Sequence, residues 1–269
     1  MRQTLVVVVS LAAAAPAFAQ ERSADDGWGL IVGAGALASP TYEGDDISRL
    51  SILPNLQVTH GDRFFASVQE GIGYRLAKDD RLSAGPILRV KFSRDEDGEQ
   101  PFAINGDDTT DLIGLGDVDT SLEIGGFIDY EAGPLDFSVE ARKALTGHEG
   151  FVADLGVKWS GRDFLFGPPI IWSVGPRARL VDDEYNSAYF SVNAAQSIAS
   201  GLPQFDASGG LHSYGIGATA IIPFDDAWTA VVIAGYDRLT EDAANNPLVA
   251  LRGSADQASL GVFLSYKLF

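Results

Sequence analysis

The sequence predicts an all-β protein: an antiparallel transmembrane β-barrel of the bacterial outer-membrane type. Its last stretch, residues 257–269, alternates apolar with small or polar residues at a period of two. Taken alone, this stretch also fits a strand of a soluble sandwich, but the same alternation recurs along the chain. After residue 20 there is no run of about 18 apolar residues, which excludes helical membrane spans.

The first 19 residues have the features of a secretory signal peptide. Arg2 supplies a positive start, residues 5–15 are apolar, and residues 17–19 read Ala-Phe-Ala, a small-x-small cleavage site. We therefore expect cleavage before Gln20 and a single outer-membrane barrel domain over residues 20–269. This segment exports the chain through the inner membrane, and the predicted location is the cell outer membrane.

The amino-acid composition of the chain restricts the classes of molecule that it can bind. The formal net charge is −18, which argues against nucleic acid because phosphate binding needs a basic face. There is no cysteine, so neither a lipid-attachment cysteine nor a disulfide is possible. Hydrophobic residues make up 46% of the chain, spread in alternation and not in blocks, as a barrel requires.

Most of the chain divides into alternating spans. We count eleven: residues 28–38, 49–60, 63–75, 81–92, 118–130, 135–142, 151–159, 170–179, 214–224, 228–236 and 257–269. Single-chain bacterial barrels have an even number of strands, so we expect twelve, with the missing one around residues 185–195. Glu70 lies on the apolar face of the third span, where a bulge near Gly71 would accommodate it.

The lengths of the connections predict the orientation. Short connections near residues 131–134, 161–163 and 225–226 are typical of periplasmic turns. Long connections at 94–116, 182–208 and 240–256 are then extracellular. Within the first of these, the acidic stretch 95–111 lacks EF-hand spacing and is interpreted as an exposed, solvated loop. The alternative is a loose association with Ca²⁺ or Mg²⁺.

Charged residues on the inward face suggest a lumen network. Its candidate members are Glu123, Glu140, Arg142, Asp154, Lys158, Arg177 and Arg179. Unpaired charge in a narrow interior is costly, so the sequence predicts a lumen narrowed by cross-strand pairs centred on Glu123, Glu140, Arg142 and Arg177. The alternative is a wide wet channel in which these residues are solvated separately.

The connection 240–256 contains a second candidate site. Asp242, Asn246, Pro247 and Leu248 combine a polar start with a proline-anchored apolar end. Such a loop could plug the barrel mouth or dock a partner. The alternative is a structured extracellular loop that only fixes the barrel shape.

Catalytic, cofactor and metal sites are not expected. The three histidines are His60, His148 and His212, and the first two lie in predicted turns, where we expect them to be solvated. His212 and Ser213 are adjacent, so on a strand they point to opposite faces and do not form a serine–histidine pair.

Several motifs together resemble the MipA/OmpV family of MltA-interacting outer-membrane proteins. They are PTYEG at 40–44, LIGLGD at 112–117, YFSV at 189–192, SGLP at 200–203, YDRL at 236–239 and DAANNPLV at 242–249. Two positions depart from the family pattern. Asn246 stands where the family usually has serine, and the chain ends Tyr266-Lys-Leu-Phe, one residue out of phase with aromatic-x-Phe.

The resemblance implies a non-enzymatic barrel in contact with outer-membrane lipid and lipopolysaccharide. For some members it implies a scaffold between a periplasmic lytic murein transglycosylase and a murein synthase. For others it implies a surface-adhesion or osmotic-response role. A small-solute pore is the alternative that the barrel fold itself leaves open.

Overall fold

The structure is a computed structural model that describes residues 27–98, 102–104, 109–164, 167 and 169–269. The predicted signal peptide, residues 1–19, lies outside the described residues, as do parts of the acidic stretch 95–111.

Within the described residues, thirteen strand segments form one antiparallel sheet. They are β1 (Trp28–Pro40), β2 (Ser48–His60), β3 (Phe64–Ser67), β4 (Gly71–Tyr74), β5 (Ala77–Lys78), β6 (Leu82–Lys91), β7 (Ser121–Ala132), β8 (Leu135–Ala144), β9 (Phe151–Phe164), β10 (Pro169–Val181), β11 (Gly210–Pro223), β12 (Trp228–Leu239) and β13 (Asp256–Lys267). The helices of the same part of the chain are α1 (Asp183–Phe190), α2 (Ala194–Ser200), α3 (Glu241–Asn245) and α4 (Pro247–Arg252).

The sheet closes on itself. β1 pairs with β13 from Ile31–Lys267 to Ala38–Leu260, and each strand otherwise pairs with its neighbours in sequence. β4 and β5 follow one another along β6 and occupy a single position in the wall. The described residues therefore form a closed barrel of twelve strands, which confirms the predicted fold class.

The twelfth strand lies elsewhere than the sequence predicted. The expected strand around residues 185–195 is wrong: α1 and α2 occupy this region, begun by the side-chain N-caps Asp182 and Asn193. The extra strand comes from splitting the span 63–75 into the hairpin β3–β4. Gly71, at φ +82°, begins β4, so Glu70 lies in a reversal of the chain and not in a bulge.

The β3–β4 hairpin fills only the half of the wall near the short turns. In the other half, residues 102–104 pair with the first residues of β2. The Ile52 amide donates to the Phe102 carbonyl at 2.9 Å, and the Ile104 amide donates to Leu50 at 3.0 Å. The interpretation of 95–111 as a solvated loop is therefore wrong for this described part, which contributes to the barrel wall.

Alternation sorts the side chains of the strands as predicted. On β13, Leu260, Val262 and Leu264 are exposed on the outer surface. Phe263 points inward, where it packs with Leu37 and Leu53. A β-carbon at position 35 would lie 2.2 Å from the Phe263 ring, so the glycine there makes room for this contact.

Aromatic pairs mark the short-turn end of the barrel. The Trp159 and Trp172 rings lie 5.7 Å apart, and those of Trp228 and Tyr266 lie 4.9 Å apart. The Trp28 and His60 rings lie 4.7 Å apart at the same end, tilted by 58° to one another. Such placement is typical of the aromatic girdle at a membrane interface.

At the opposite end, the long connections and the helices fold into a cap over the lumen. One buried cluster is built around Tyr185, Phe190 and Val249, and a second around Leu112 and Leu248. In the part of the chain that the structure describes, no helix combines the length and apolarity that crossing a bilayer demands.

The closed barrel predicts that the mobility of the protein in a detergent gel changes when it is boiled. A barrel without a free edge resists unfolding by detergent, so the unboiled protein should run differently from the boiled protein in a detergent gel. Identical mobility before and after boiling, with solubility in the absence of detergent, would contradict the membrane-barrel structure.

Candidate functional site: a capped lumen and its charge network

The barrel encloses a cavity of about 1880 Å³. Its lining runs from the short-turn end, at Gly61, Gly133 and Asp226, to the underside of the cap at Tyr42 and Tyr189. The strands β6 to β10 line it with charged side chains. The strands β11 to β13 present mainly small, hydroxyl-bearing and apolar side chains, with Asp237 and Lys267 as exceptions, so the charge is concentrated on one side of the lumen, which we call the charged wall.

Arg142 on β8 is the centre of the charged wall. Its side chain is only 3% exposed. The Nε atom lies 2.7 Å from Glu123 Oε2 on β7, and Nη2 lies 2.8 Å from Asp154 Oδ2 on β9. Nη1 binds Glu140, two residues away on the same face of β8. The planar guanidinium thus joins carboxylates from neighbouring strands with good geometry.

The network continues on both sides of Arg142. Glu140 Oε2 accepts from Arg89 Nη2 on β6 at 2.9 Å. Asp154 Oδ1 accepts from Arg179 Nε on β10 at 2.8 Å. Alternating charges therefore run across the strands β6 to β10, and within this series Glu140 and Asp154 each bind two arginines.

Glu43 connects this network to the cap. It belongs to the connection 41–47 between β1 and β2 and reaches into the barrel from above. Its Oε1 lies 2.9 Å from His212 Nε2, and its Oε2 accepts from the Tyr185 hydroxyl at 3.0 Å. Lys91 Nζ lies 3.6 Å from Glu43 Oε2, and Arg179 Nη1 lies 3.7 Å from Glu43 Oε1. One carboxylate thus touches α1, β6, β10 and β11.

The hydrogen bonds of His212 hold its ring in place. Asn186 Nδ2 donates to the Ser208 carbonyl at 2.6 Å, which turns the Asn186 Oδ1 toward His212 Nδ1 at 3.0 Å. The other ring nitrogen, Nε2, faces the Glu43 carboxylate at 2.9 Å. Both ring nitrogens of the buried His212 are therefore engaged, which joins α1, β11 and the connection 41–47.

Burial alone would raise the pKa of the Glu43 carboxyl. The charges of Lys91 and Arg179, with the hydrogen bond from His212, outweigh burial and hold that pKa well below its ordinary value. Burial, with the nearby Glu43 charge, raises the pKa of the Tyr185 hydroxyl well above its usual range. Tyr185 therefore stays protonated, and its hydroxyl donates a hydrogen bond to the Glu43 carboxylate.

His148 is buried, so the prediction of a solvated histidine in this turn is wrong. Its Nδ1 accepts from the Gly150 amide at 3.0 Å, so the ring hydrogen is on Nε2, which donates to Glu123 at 2.9 Å. Ser121 lies close by, but its hydroxyl oxygen accepts from the His148 backbone amide at 3.0 Å. Both ring nitrogens are engaged, so His148 is arranged as a structural donor and not as a base for Ser121.

The structure brings together most, but not all, of the predicted network. Arg177 lies apart from Arg142: it binds Asp237 on β12, with Nε 2.7 Å from Oδ1. Its side chain lies over Gly217 and Gly235 of the facing strands, where a β-carbon would crowd it. Lys158 lines the cavity nearer the short turns. The sequence predicted Arg177 at the centre of the network because alternation shows that its side chain faces inward from β10. Alternation does not show which acid on another strand it binds.

The second predicted site is a structural part of the cap. Asp242 Oδ2 accepts from the Ser208 amide at 2.8 Å. Asn246 is fully buried and caps α4 through the Val249 amide at 3.0 Å, while Pro247 occupies the first turn of α4. Leu248 is buried in the second cap cluster. These residues help to cover the barrel mouth and are not presented as a docking surface.

Sequence reasoning missed several members of the network, among them Glu43, Arg89, Lys91 and His148. Arg89 lies on the face of β6 that alternation predicts to point inward, so it could have been included in the predicted network. Glu43 and His148 lie in connections, where period-two alternation does not apply. The one signal for Glu43 was its place in the motif at 40–44.

Together, the described residues define an outer-membrane-type antiparallel barrel whose lumen is covered at one end by a cap anchored on a buried charge network. The chain belongs to the MipA family: the family model for MltA-interacting protein MipA matches residues 32–268. No curated protein matches the sequence.

Solved structures of similar overall architecture are outer-membrane barrels. The NanC porin is 11% identical, with a TM-score of 0.41 over 89% of this chain and 100% of that chain. An outer-membrane channel from Pseudomonas putida F1 is 13% identical, with a TM-score of 0.42 over 90% and 94%. An anion-selective porin from Comamonas acidovorans is 10% identical, with a TM-score of 0.31 over 90% of this chain and 99% of that chain.

Proposed function

We propose that this protein is a non-enzymatic barrel of the outer membrane that holds murein-remodelling enzymes from the periplasmic side. The observation that carries the proposal is the asymmetry of the lumen. The cavity reaches the short-turn end, which by barrel convention faces the periplasm. The other end is covered by the cap and its buried clusters.

The family indicates the kind of partner. Its name describes an MltA-interacting protein, which suggests a periplasmic lytic murein transglycosylase, with a murein synthase as the second enzyme of the scaffold. Outer-membrane lipid and lipopolysaccharide are the proposed surroundings of the barrel wall. The proposal includes removal of residues 1–19 on export, with residues 20–269 as the mature barrel.

A small-solute pore is the second candidate, because the lumen contains a large cavity with charged groups on one wall. Conduction would require the cap to move, since Glu43 and the Arg142 network bind it and the wall together. We therefore expect no steady conductance steps when the wild-type protein is inserted into planar bilayers. Large, long-lived steps in symmetric salt would favour the pore and contradict a capped scaffold.

The scaffold is tested by site-specific photocrosslinking in intact envelopes. A photoreactive residue at the exposed Asp226, in the β11–β12 turn, should capture a murein transglycosylase or synthase identified by mass spectrometry. The matched control places the same residue at Ala199, exposed on the cap. Capture of these enzymes from neither position, or equally from both, would contradict docking at the periplasmic end.

A further inference from the structure

The outer face of the cap exposes large aliphatic side chains that belong to helices and a connection and not to the strands of the wall. Ile198 on α2 is 88% exposed and Leu251 on α4 is 67% exposed. Ile113, in the connection between β6 and β7, is also exposed. Single exposed aliphatic residues need no explanation, but a group of them at one place indicates an interaction surface.

Hydrogen bonds and close packing place these three residues around one junction. Arg252, next to Leu251, donates to the Asp111 carbonyl at 2.8 Å and to the Ser200 carbonyl at 2.6 Å. Gly114 packs so tightly on α2 that a β-carbon there would lie 2.6 Å from the Ala199 carbonyl carbon. Each exposed aliphatic therefore lies within two residues of the junction. We call Ile113, Ile198 and Leu251 the cap patch.

The cap patch rests on a rigid base. The second cap cluster contains Leu112 and Leu115 beside Ile113, and Leu248 in the helix that carries Leu251. α2 is fixed at its start by a reciprocal capping box between Asn193 and Gln196. A surface ordered before binding loses little conformational entropy when a partner docks, which favours affinity.

The charge around the cap patch selects the partner. The described connections at this end are residues 41–47, 93–98, 109–120, 145–150, 182–209 and 240–255. Among these described residues, Asp and Glu number sixteen, whereas the basic residues are Arg94 and Arg252. An acidic field of this size attracts cations and repels anionic surfaces such as phosphate-bearing lipid.

We propose that the cap patch and its acidic surroundings form a docking surface for a cationic peptide segment with apolar side chains, presented from outside the cell. The aliphatic side chains of the segment contact Ile113, Ile198 and Leu251, and its basic side chains lie over the surrounding carboxylates. This surface lies at the end of the barrel opposite the proposed periplasmic docking site and does not depend on it.

The test uses the full-length protein in zwitterionic lipid nanodiscs and two fluorescein-labelled hexapeptides, Lys-Leu-Lys-Leu-Lys-Leu and Glu-Leu-Glu-Leu-Glu-Leu. Fluorescence anisotropy, corrected with empty nanodiscs, should show binding of the lysine peptide only. The double variant I198S/L251S should bind it at least tenfold more weakly at physiological salt, because the apolar contacts are lost while the acidic field remains.

The matched control is Leu76→Ser, which removes an aliphatic side chain of similar exposure, 66%, at the short-turn end. It should leave the affinity unchanged. Heat-modifiable migration of both variants verifies that each barrel is folded. The proposal is overturned if I198S/L251S binds the lysine peptide as well as wild type, if L76S weakens it equally, or if the glutamate peptide binds comparably.

Discussion

Replacement of Arg142 by alanine is expected to lower the free energy of unfolding by about 3–5 kcal/mol, the typical cost of removing one member of a buried ion network. The substitution leaves the carboxylates of Glu123, Glu140 and Asp154 close together in the lumen without the guanidinium that joins them. Glu140 and Asp154 keep Arg89 and Arg179, whereas the Glu123 carboxylate keeps only the His148 hydrogen bond.

The loss is measured from urea unfolding of the folded protein in detergent micelles, followed by linear extrapolation. Arg162→Ala is the matched control: this arginine of β9 lines the same cavity but is exposed near its mouth. We expect the control to change the unfolding free energy by less than about 0.5 kcal/mol. Equal stability of R142A and R162A would show that the lumen charges are solvated separately, as in a wide wet channel.

Arg142 and Arg177 share no partner within the described residues, so their effects on stability should add. Arg177→Ala removes the pair with Asp237 on the far side of β10 and leaves the Arg142 network intact. The sequence joined the two arginines into one network because both alternate inward. Which acid each one meets depends on register across the sheet, which alternation does not determine.

The barrel could be predicted from the sequence because its strands carry a simple period. The last strand, with Leu260, Val262 and Leu264 outward, has the predicted face. The span 63–75 was misjudged because the reversal at Glu70 keeps the same alternation on both arms of the hairpin. The one local sign of a turn was the charged residue Glu70 on the apolar face of this span.

The cap could not be predicted in the same way. Its helices are short, and α2 has no buried residue, so there is little amphipathic signal to find. The side chains that organise the cap act over long sequence separations. Glu43 meets His212, 169 residues later, and Tyr185, 142 residues later. Such contacts depend on barrel closure, which no local pattern encodes.

Glu43→Gln is expected to release the cap and produce conductance in planar bilayers. Glutamine keeps the size of the side chain but removes the negative charge that faces Lys91, Arg179 and His212. The Glu43 side chain is 28% exposed, so we expect its loss to cost about 1.5–3 kcal/mol, the range for a hydrogen bond to a charged group, and not the larger cost of a fully buried pair. Since every 1.4 kcal/mol is a factor of ten in an equilibrium, the open state should rise by a factor of about ten to about a hundred and fifty.

The readouts are the frequency of opening in bilayers and protease cleavage within the cap on intact cells. Asp46→Asn is the matched control, because it makes the same acid-to-amide change at an exposed position of the same connection. It should behave like wild type. If E43Q opens no more often than D46N, and its cap is cleaved no faster, Glu43 does not hold the cap closed.

Acid provides a second test of Glu43 in the wild-type protein. Its pKa is lowered in the folded state, so its stabilisation is complete above the ordinary glutamate value and is lost as the pH falls through the lower, folded value. The cap should therefore resist protease equally at pH 7 and at about pH 5 and loosen only in stronger acid. E43Q should be cleaved readily throughout, with no such acid step. Opening of the wild-type cap already between pH 7 and about pH 5 would assign its closure to a different titrating group.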